Sequence, residues 1–119
     1  MSTIQVGFGR LEITPPMGVP MNGYFYQRLV EGVWDPIYVN AVAFKDGEKA
    51  VVTLACDLCG MVTAMYQDCL QKISEKTGLP AESIFIHCTH THTAPRYAQK
   101  TGYDKAPKDR MTIVPPEEY

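Results

Sequence analysis

The sequence predicts an α/β chain: a β-hairpin, then a β-α-β crossover unit, with a His-x-His pair at the carboxyl end of the last strand. Three observations predict it. Asp46-Gly47 lies between two runs rich in β-branched and aromatic residues, Tyr38 to Lys45 and Lys49 to Cys56. Asp-Gly between such runs is the strongest short-range hairpin signal. Residues 61–77 then change period, with Val62, Met65, Cys69 and Ile73 recurring at three and four and Leu70 beside them, which is the stripe of an amphipathic helix. Ser83 to Thr89 returns to an apolar, extended run. Strand, helix, strand in that order implies parallel strands joined by a right-handed crossover.

Taken in order, Val6 to Thr14 reads as a strand whose Gly7 and Gly9 permit a bulge or close packing, stopped by Pro15-Pro16. Pro15 to Pro36 is rich in Gly and Pro and holds Tyr24, Phe25, Tyr26 and Trp34. A loop of that length inside a compact domain is usually functional, and its aromatics are expected to pack on the core as lids. The helix turns Gln67, Asp68, Gln71, Lys72, Glu75 and Lys76 away from its stripe, and Gly78 and Pro80 end it. After Pro95 the chain becomes charged and proline-containing, and Pro115-Pro116-Glu117-Glu118-Tyr119 reads as the first turn of a helix. The expectation is therefore an α/β region over 1–95 and a polar tail, or the start of a continuation, over 96–119. The chain would then be the incomplete front part of a larger domain.

Composition narrows the function. A length of 119 residues fits one domain, and 45% hydrophobic with 20% charged residues is the balance of an ordinary globule. A net charge of −2 and a pI near 5.9 argue against a general nucleic-acid binder. No run approaches a membrane span, and Met1-Ser2-Thr3-Ile4-Gln5 shows no signal-peptide pattern, so a cytoplasmic location is expected. An unfinished domain would also expose apolar surface and favour a homo-oligomer.

All three histidines fall together in His87-Cys88-Thr89-His90-Thr91-His92. Extended alternation would place Cys88, His90 and His92 on one face, where imidazole and thiolate suit zinc. Carboxyl ends of parallel strands are also where ligands gather in α/β units. His90 and His92 are the candidates for metal binding or catalysis, against a plain polar strand end; His87, on the other face, reads as structural. Thr89 and Thr91 are either second-sphere hydroxyls that hold an imidazole or filler.

Cys56-Asp57-Leu58-Cys59 ends the preceding strand. Its C-x-x-C spacing near a helix start allows a redox pair, although Asp57 opposes thiol activation. Cys56 and Cys59 would alternatively join His90 and His92 in a structural zinc site, or pack as small apolar residues. Cys69, on the helix stripe, reads as core. Asp57 is either an acid that orients an imidazole or works in catalysis, or a helix N-cap.

Thr89-His90-Thr91-His92-Thr93-Ala94-Pro95 resembles the T-H-T-H-S-G-P motif of the neutral/alkaline, non-lysosomal ceramidases. Gly7-Phe8-Gly9-Arg10, Ile13-Thr14-Pro15, Met21-Asn22-Gly23-Tyr24 and the strand ending in Asp57 follow the same family in order. The resemblance covers about residues 4–95 and corresponds to the family's N-terminal portion. It implies zinc-dependent hydrolysis of an N-acyl amide, with ceramide-like lipids as the type substrate. It further implies that His90 is a zinc ligand and that His92 lies beside the reacting carbonyl. Thr93 and Ala94 stand where the family has Ser and Gly, Glu12 where Asp is usual, and Asn40 where Arg is common. The family's further ligands, a His, a Glu and a Tyr, have no counterpart in these 119 residues. The isolated chain is accordingly expected to bind metal weakly and to be inactive. The contrasting expectation is a non-catalytic domain with a structural zinc or assembly role through Cys56, Cys59, His90 and His92.

Overall fold

The computed structural model describes residues 3–24 and 28–96. Phe25, Tyr26 and the tail expected after Arg96 lie outside the described residues. Strand β1 (Gln5–Glu12) is followed by a short ribbon, β2 (Pro20–Met21) and β3 (Arg28–Leu29). The hairpin β4 (Tyr38–Asp46) and β5 (Lys49–Cys56) comes next, then helix α1 (Thr63–Thr77) and strand β6 (Ile84–Cys88). Four strands form one sheet in the order β1-β4-β5-β6. The first two pairings are antiparallel, whereas β5 and β6 are parallel, with Val52 opposite Ile84 and Cys56 opposite Cys88. Hairpin and β-α-β unit thus form as expected, and the fold is mixed α/β. The ribbon β2–β3 was not anticipated within the long Gly/Pro segment.

Helix α1 stops for a local reason. Gly78 takes φ 73°, a left-handed conformation that costs glycine nothing, and its N–H reaches the Ser74 carbonyl at 2.8 Å. Ser74 Oγ also donates to the Leu79 carbonyl at 2.6 Å, so the chain leaving the helix is well tied. The start is weaker, because Val62 at the N-cap offers no side-chain acceptor.

One sheet face, through Val39, Leu54, Cys56 and Ile86, looks across a cavity of about 400 Å³ to Met65, Cys69 and Ile73 of α1. No α1 residue is fully buried, so Cys69 lines this cavity half-buried instead of closing a core. The tight cluster is Cys56, Leu58 and Ala94, with Ile13, Ile37, Met61 and Cys88 against it. Burial is thus found at the carboxyl end of β5 and, more completely, around the ribbon, where Val19, Pro20 and Pro95 are fully enclosed. The opposite sheet face leaves Phe8 at 82% and Phe85 at 64% exposed. Trp34 is fully exposed, which corrects the expectation that it packs as a lid: residues 31–36 all run along the surface and carry it outward. Among the described residues, no helix is long and apolar enough to cross a membrane.

Gly78→Ala is expected to lower stability by about 1–2 kcal/mol in a thermal melt. No atom lies within 4 Å of the added Cβ, so the cost is purely conformational. Gly78→Asn should lose less, because Asn tolerates the left-handed region.

Candidate functional site

Because β5 and β6 run parallel, the segments that leave them emerge on one rim of the sheet. Backbone hydrogen bonds join the two. Thr89 N–H donates to the Cys56 carbonyl at 2.9 Å, and His90 N–H to the Leu58 carbonyl at 3.0 Å. His90 then adopts φ 63°, a left-handed backbone in which histidine is enriched over most residues. Extended alternation ends there. Cys88 stays in register with Cys56 inside the sheet, so Cys88, His90 and His92 do not share a face as expected. The turned backbone instead brings both imidazoles to Cys59, and one ligand atom from each of Cys59, His90 and His92 lies within 4.8 Å of the others.

His90 Nδ1 is 2.7 Å from the carbonyl of Cys59. A carbonyl only accepts, so Nδ1 carries the proton and Nε2 keeps its lone pair. His92 Nε2 lies 3.4 Å from that Nε2. Two imidazole nitrogens on one tetrahedral zinc, each bonded at about 2.0–2.1 Å, are about 3.3–3.4 Å apart. The pair is therefore spaced for a shared ion, and the carbonyl behind His90 is the orienting partner such a ligand needs.

His92 is placed by the ribbon. Met21 bridges Pro95, Asn22 N–H donates to the Ala94 carbonyl at 3.1 Å, and Arg96 N–H to the Pro20 carbonyl at 2.6 Å. Arg28 donates through Nη2 to the His92 carbonyl and stacks its guanidinium 3.8 Å from the Tyr24 ring centre. Tyr24 in turn meets the His92 ring edge-on, with centroids 6.1 Å apart. Gly23, at φ 99°, lies flat against the imidazole: a Cβ there would sit 2.7 Å from His92 Cβ and 2.8 Å from Cδ2. Gly23, Tyr24 and Arg28 thus surround His92, a placement that the sequence, which marked Tyr24 only as a lid, did not indicate. The Asn22-Gly23 pair was the signal that a turn forms there.

Asp57 is neither helix cap nor imidazole partner. Its Oδ2 accepts from Tyr38 N–H at 2.9 Å, its own N–H donates to the Tyr38 carbonyl at 2.9 Å, and Thr89 Oγ1 donates to Oδ1 at 3.4 Å. It fastens the start of β4 to the end of β6. Thr91 Oγ1 pairs with Thr93 Oγ1 at 2.9 Å and accepts from Thr93 N–H at 3.2 Å, so neither threonine holds a ring. His87 is exposed on the other face beside Phe85.

Cys56 lies outside the metal-competent group, so a two-cysteine, two-histidine site is not assembled among the described residues. It is 4% exposed, and burial, together with Cys88, Cys69 and Asp57, pushes its thiol up to about 11. That opposes a C-x-x-C redox pair, which needs an easily formed thiolate. Beside the His92 segment, a second cavity of about 520 Å³ is lined by Met21, Arg28, Glu31, Trp34 and Thr93 among others.

The fold matches a solved relative. The crystal structure of neutral ceramidase from Pseudomonas aeruginosa superposes with a TM-score of 0.73 at 22% identity, over 82% of this chain and 16% of that one. Identity at that level speaks for the fold, and the chain spans about a sixth of the ceramidase's length. No protein-family model matches the chain, and no curated protein matches it in sequence.

Two outcomes follow from this geometry. Gly23→Ala is expected to displace the His92 ring, seen as a changed His92 proton chemical shift by NMR with His87 unaffected. Alkylation of Cys56 by iodoacetamide should stay slow at pH 8 and accelerate only toward pH 11. Between about pH 9 and 11 the folded chain keeps a proton that the unfolded chain has lost, so Cys56 makes stability fall across that window. Fast modification of the native protein at pH 8 would contradict the buried placement.

Proposed function

We propose that this chain carries part of the active site of a zinc-dependent amidohydrolase acting on N-acyl amides, ceramide-like lipids being the type substrate. The observation that carries the reading is the 3.4 Å approach of the His90 and His92 Nε2 atoms at the carboxyl rim of a sheet that superposes on neutral ceramidase. The spacing suits one ion, and the motif around it resembles that family's. Residues 1–95 would form the ceramidase-like region.

Zinc, when bound, lowers the pKa of a coordinated water to about 7 and polarises an amide carbonyl. His90 Nε2 supplies a ligand while the Cys59 carbonyl fixes its ring. His92 Nε2 would either share the ion with His90 or, off the ion, stabilise the oxyanion or carry a proton to the leaving amine, and zinc loading of His92→Ala separates the two. Asp57 supports the site at one remove, holding Thr89 and the start of β4. The 520 Å³ cavity beside Thr93 and Arg28 offers a mixed polar and apolar wall for the amide's substituents.

The test replaces the corresponding portion of the Pseudomonas aeruginosa enzyme by residues 3–96 of this chain. The chimera is expected to hydrolyse a fluorogenic N-acyl amide, to stop with a chelator and to recover with zinc. His92→Ala should lower kcat by about 10²–10⁴-fold, and Asp57→Asn by less. The 119-residue chain assayed alone is expected to show no turnover. A folded, zinc-loaded chimera without hydrolysis would overturn the reading.

A further inference from the structure

The histidine pair has a third neighbour whose chemistry differs from imidazole. Cys59 lies just past β5, half-buried, with its carbonyl against His90 Nδ1 at 2.7 Å and its Sγ at 3.7 Å from the same nitrogen. Its ligand atom belongs to the group that falls within 4.8 Å of both histidines. In a tetrahedral shell with zinc–sulfur at about 2.3 Å and zinc–nitrogen at about 2.0–2.1 Å, sulfur and nitrogen stand about 3.6 Å apart. Sγ lies within 4.8 Å of a ring nitrogen of each histidine, and rotation about its Cα–Cβ bond moves it toward that separation. Cys59 is among the chain's free cysteines.

We infer that Cys59, His90 and His92 form a three-ligand thiolate–imidazole centre for a borderline-soft divalent cation such as zinc, leaving a fourth position open. Cys59 plays two parts in it: its carbonyl orients His90 from behind, and its sulfur closes the ligand set from the side. The thiolate also changes the character of the site. Two neutral imidazoles alone leave the ion's double charge uncompensated, whereas one thiolate removes half of it and favours zinc or cobalt over magnesium and calcium. On binding, the S–H bond breaks, its proton goes to the buffer, and the sulfur pair forms the metal–sulfur bond. The thiol releases one proton per ion, and any imidazole still protonated must release its own before it binds. Three protein ligands and an open position are the pattern of reactive zinc sites. This inference rests on the histidine pair of the proposed function but not on the reaction assigned to it.

Anaerobic titration of the full chain with cobalt(II) is the test. Expected are one equivalent bound, an intense sulfur-to-cobalt charge-transfer absorption in the near ultraviolet, and at least one proton released per ion. Cys59→Ser should abolish the absorption, release one proton fewer per ion and weaken zinc, in competition with a chromophoric chelator, by at least about 10–100-fold. Cys59→His should restore zinc binding without the sulfur absorption, which separates a lost ligand from a lost fold. Cys69→Ser should behave as the parent. A parent spectrum without the sulfur band, a band that survives in Cys59→Ser, or unchanged zinc affinity in that variant would each overturn the inference. A chimera inert toward amides alongside a positive cobalt spectrum would leave the centre standing and remove only the hydrolase reading.

Discussion

Two backbone hydrogen bonds hold the rest in place: Thr89 N–H to the Cys56 carbonyl and His90 N–H to the Leu58 carbonyl. They extend the pairing of β5 and β6 past the point where both strands end, and they do so with the chain already turning. Each of these amides finds its acceptor in a carbonyl at the end of β5 or just past it. Everything chemical follows from that join. It sets Cys59 beside His90, it gives Leu58 and Ala94 a shared cluster, and it puts Asp57 between Tyr38 and Thr89.

The two histidines are supported independently. His90 is governed by the sheet through its own N–H and through the Cys59 carbonyl. His92 is governed by the ribbon, where Gly23 provides a wall and Arg28 grips the backbone. Supports from separate elements converge on a nitrogen–nitrogen distance of 3.4 Å. Preorganisation of this kind keeps a ligand pair ready without a rearrangement on binding. It also explains the glycine at residue 23: only a residue without a side chain can lie flat on that imidazole.

Much of the fold was legible because its signals are local. Asp46-Gly47, the stripe of Met65, Cys69 and Ile73, and the Gly78 stop each act within a few residues, and each element formed where expected. The short ribbon was not legible, since two-residue strands carry no periodicity and depend on contacts with Pro95 and Ala94 far along the chain. At the site, the histidine cluster stood out by composition alone, and Cys59 entered only through the alternative that joined it with Cys56. Alternation pointed to Cys88, and the departure from alternation at His90 handed that place to Cys59. Asp57 was read as an acid or a helix cap, yet its partner, the Tyr38 amide, comes from a strand whose position only the tertiary pairing decides.

The left-handed turn at residue 90 has a consequence for which elements can be ligands at all. Of the side chains that bind metals, histidine and aspartate are the ones enriched in that conformation, while cysteine and glutamate have no such advantage. The backbone itself therefore selects a nitrogen or a carboxylate oxygen for that vertex, before any ion is present. Sulfur has to enter from the other strand's exit, where the chain is not so constrained. The backbone conformation of one residue thus divides nitrogen from sulfur between the two halves of the rim.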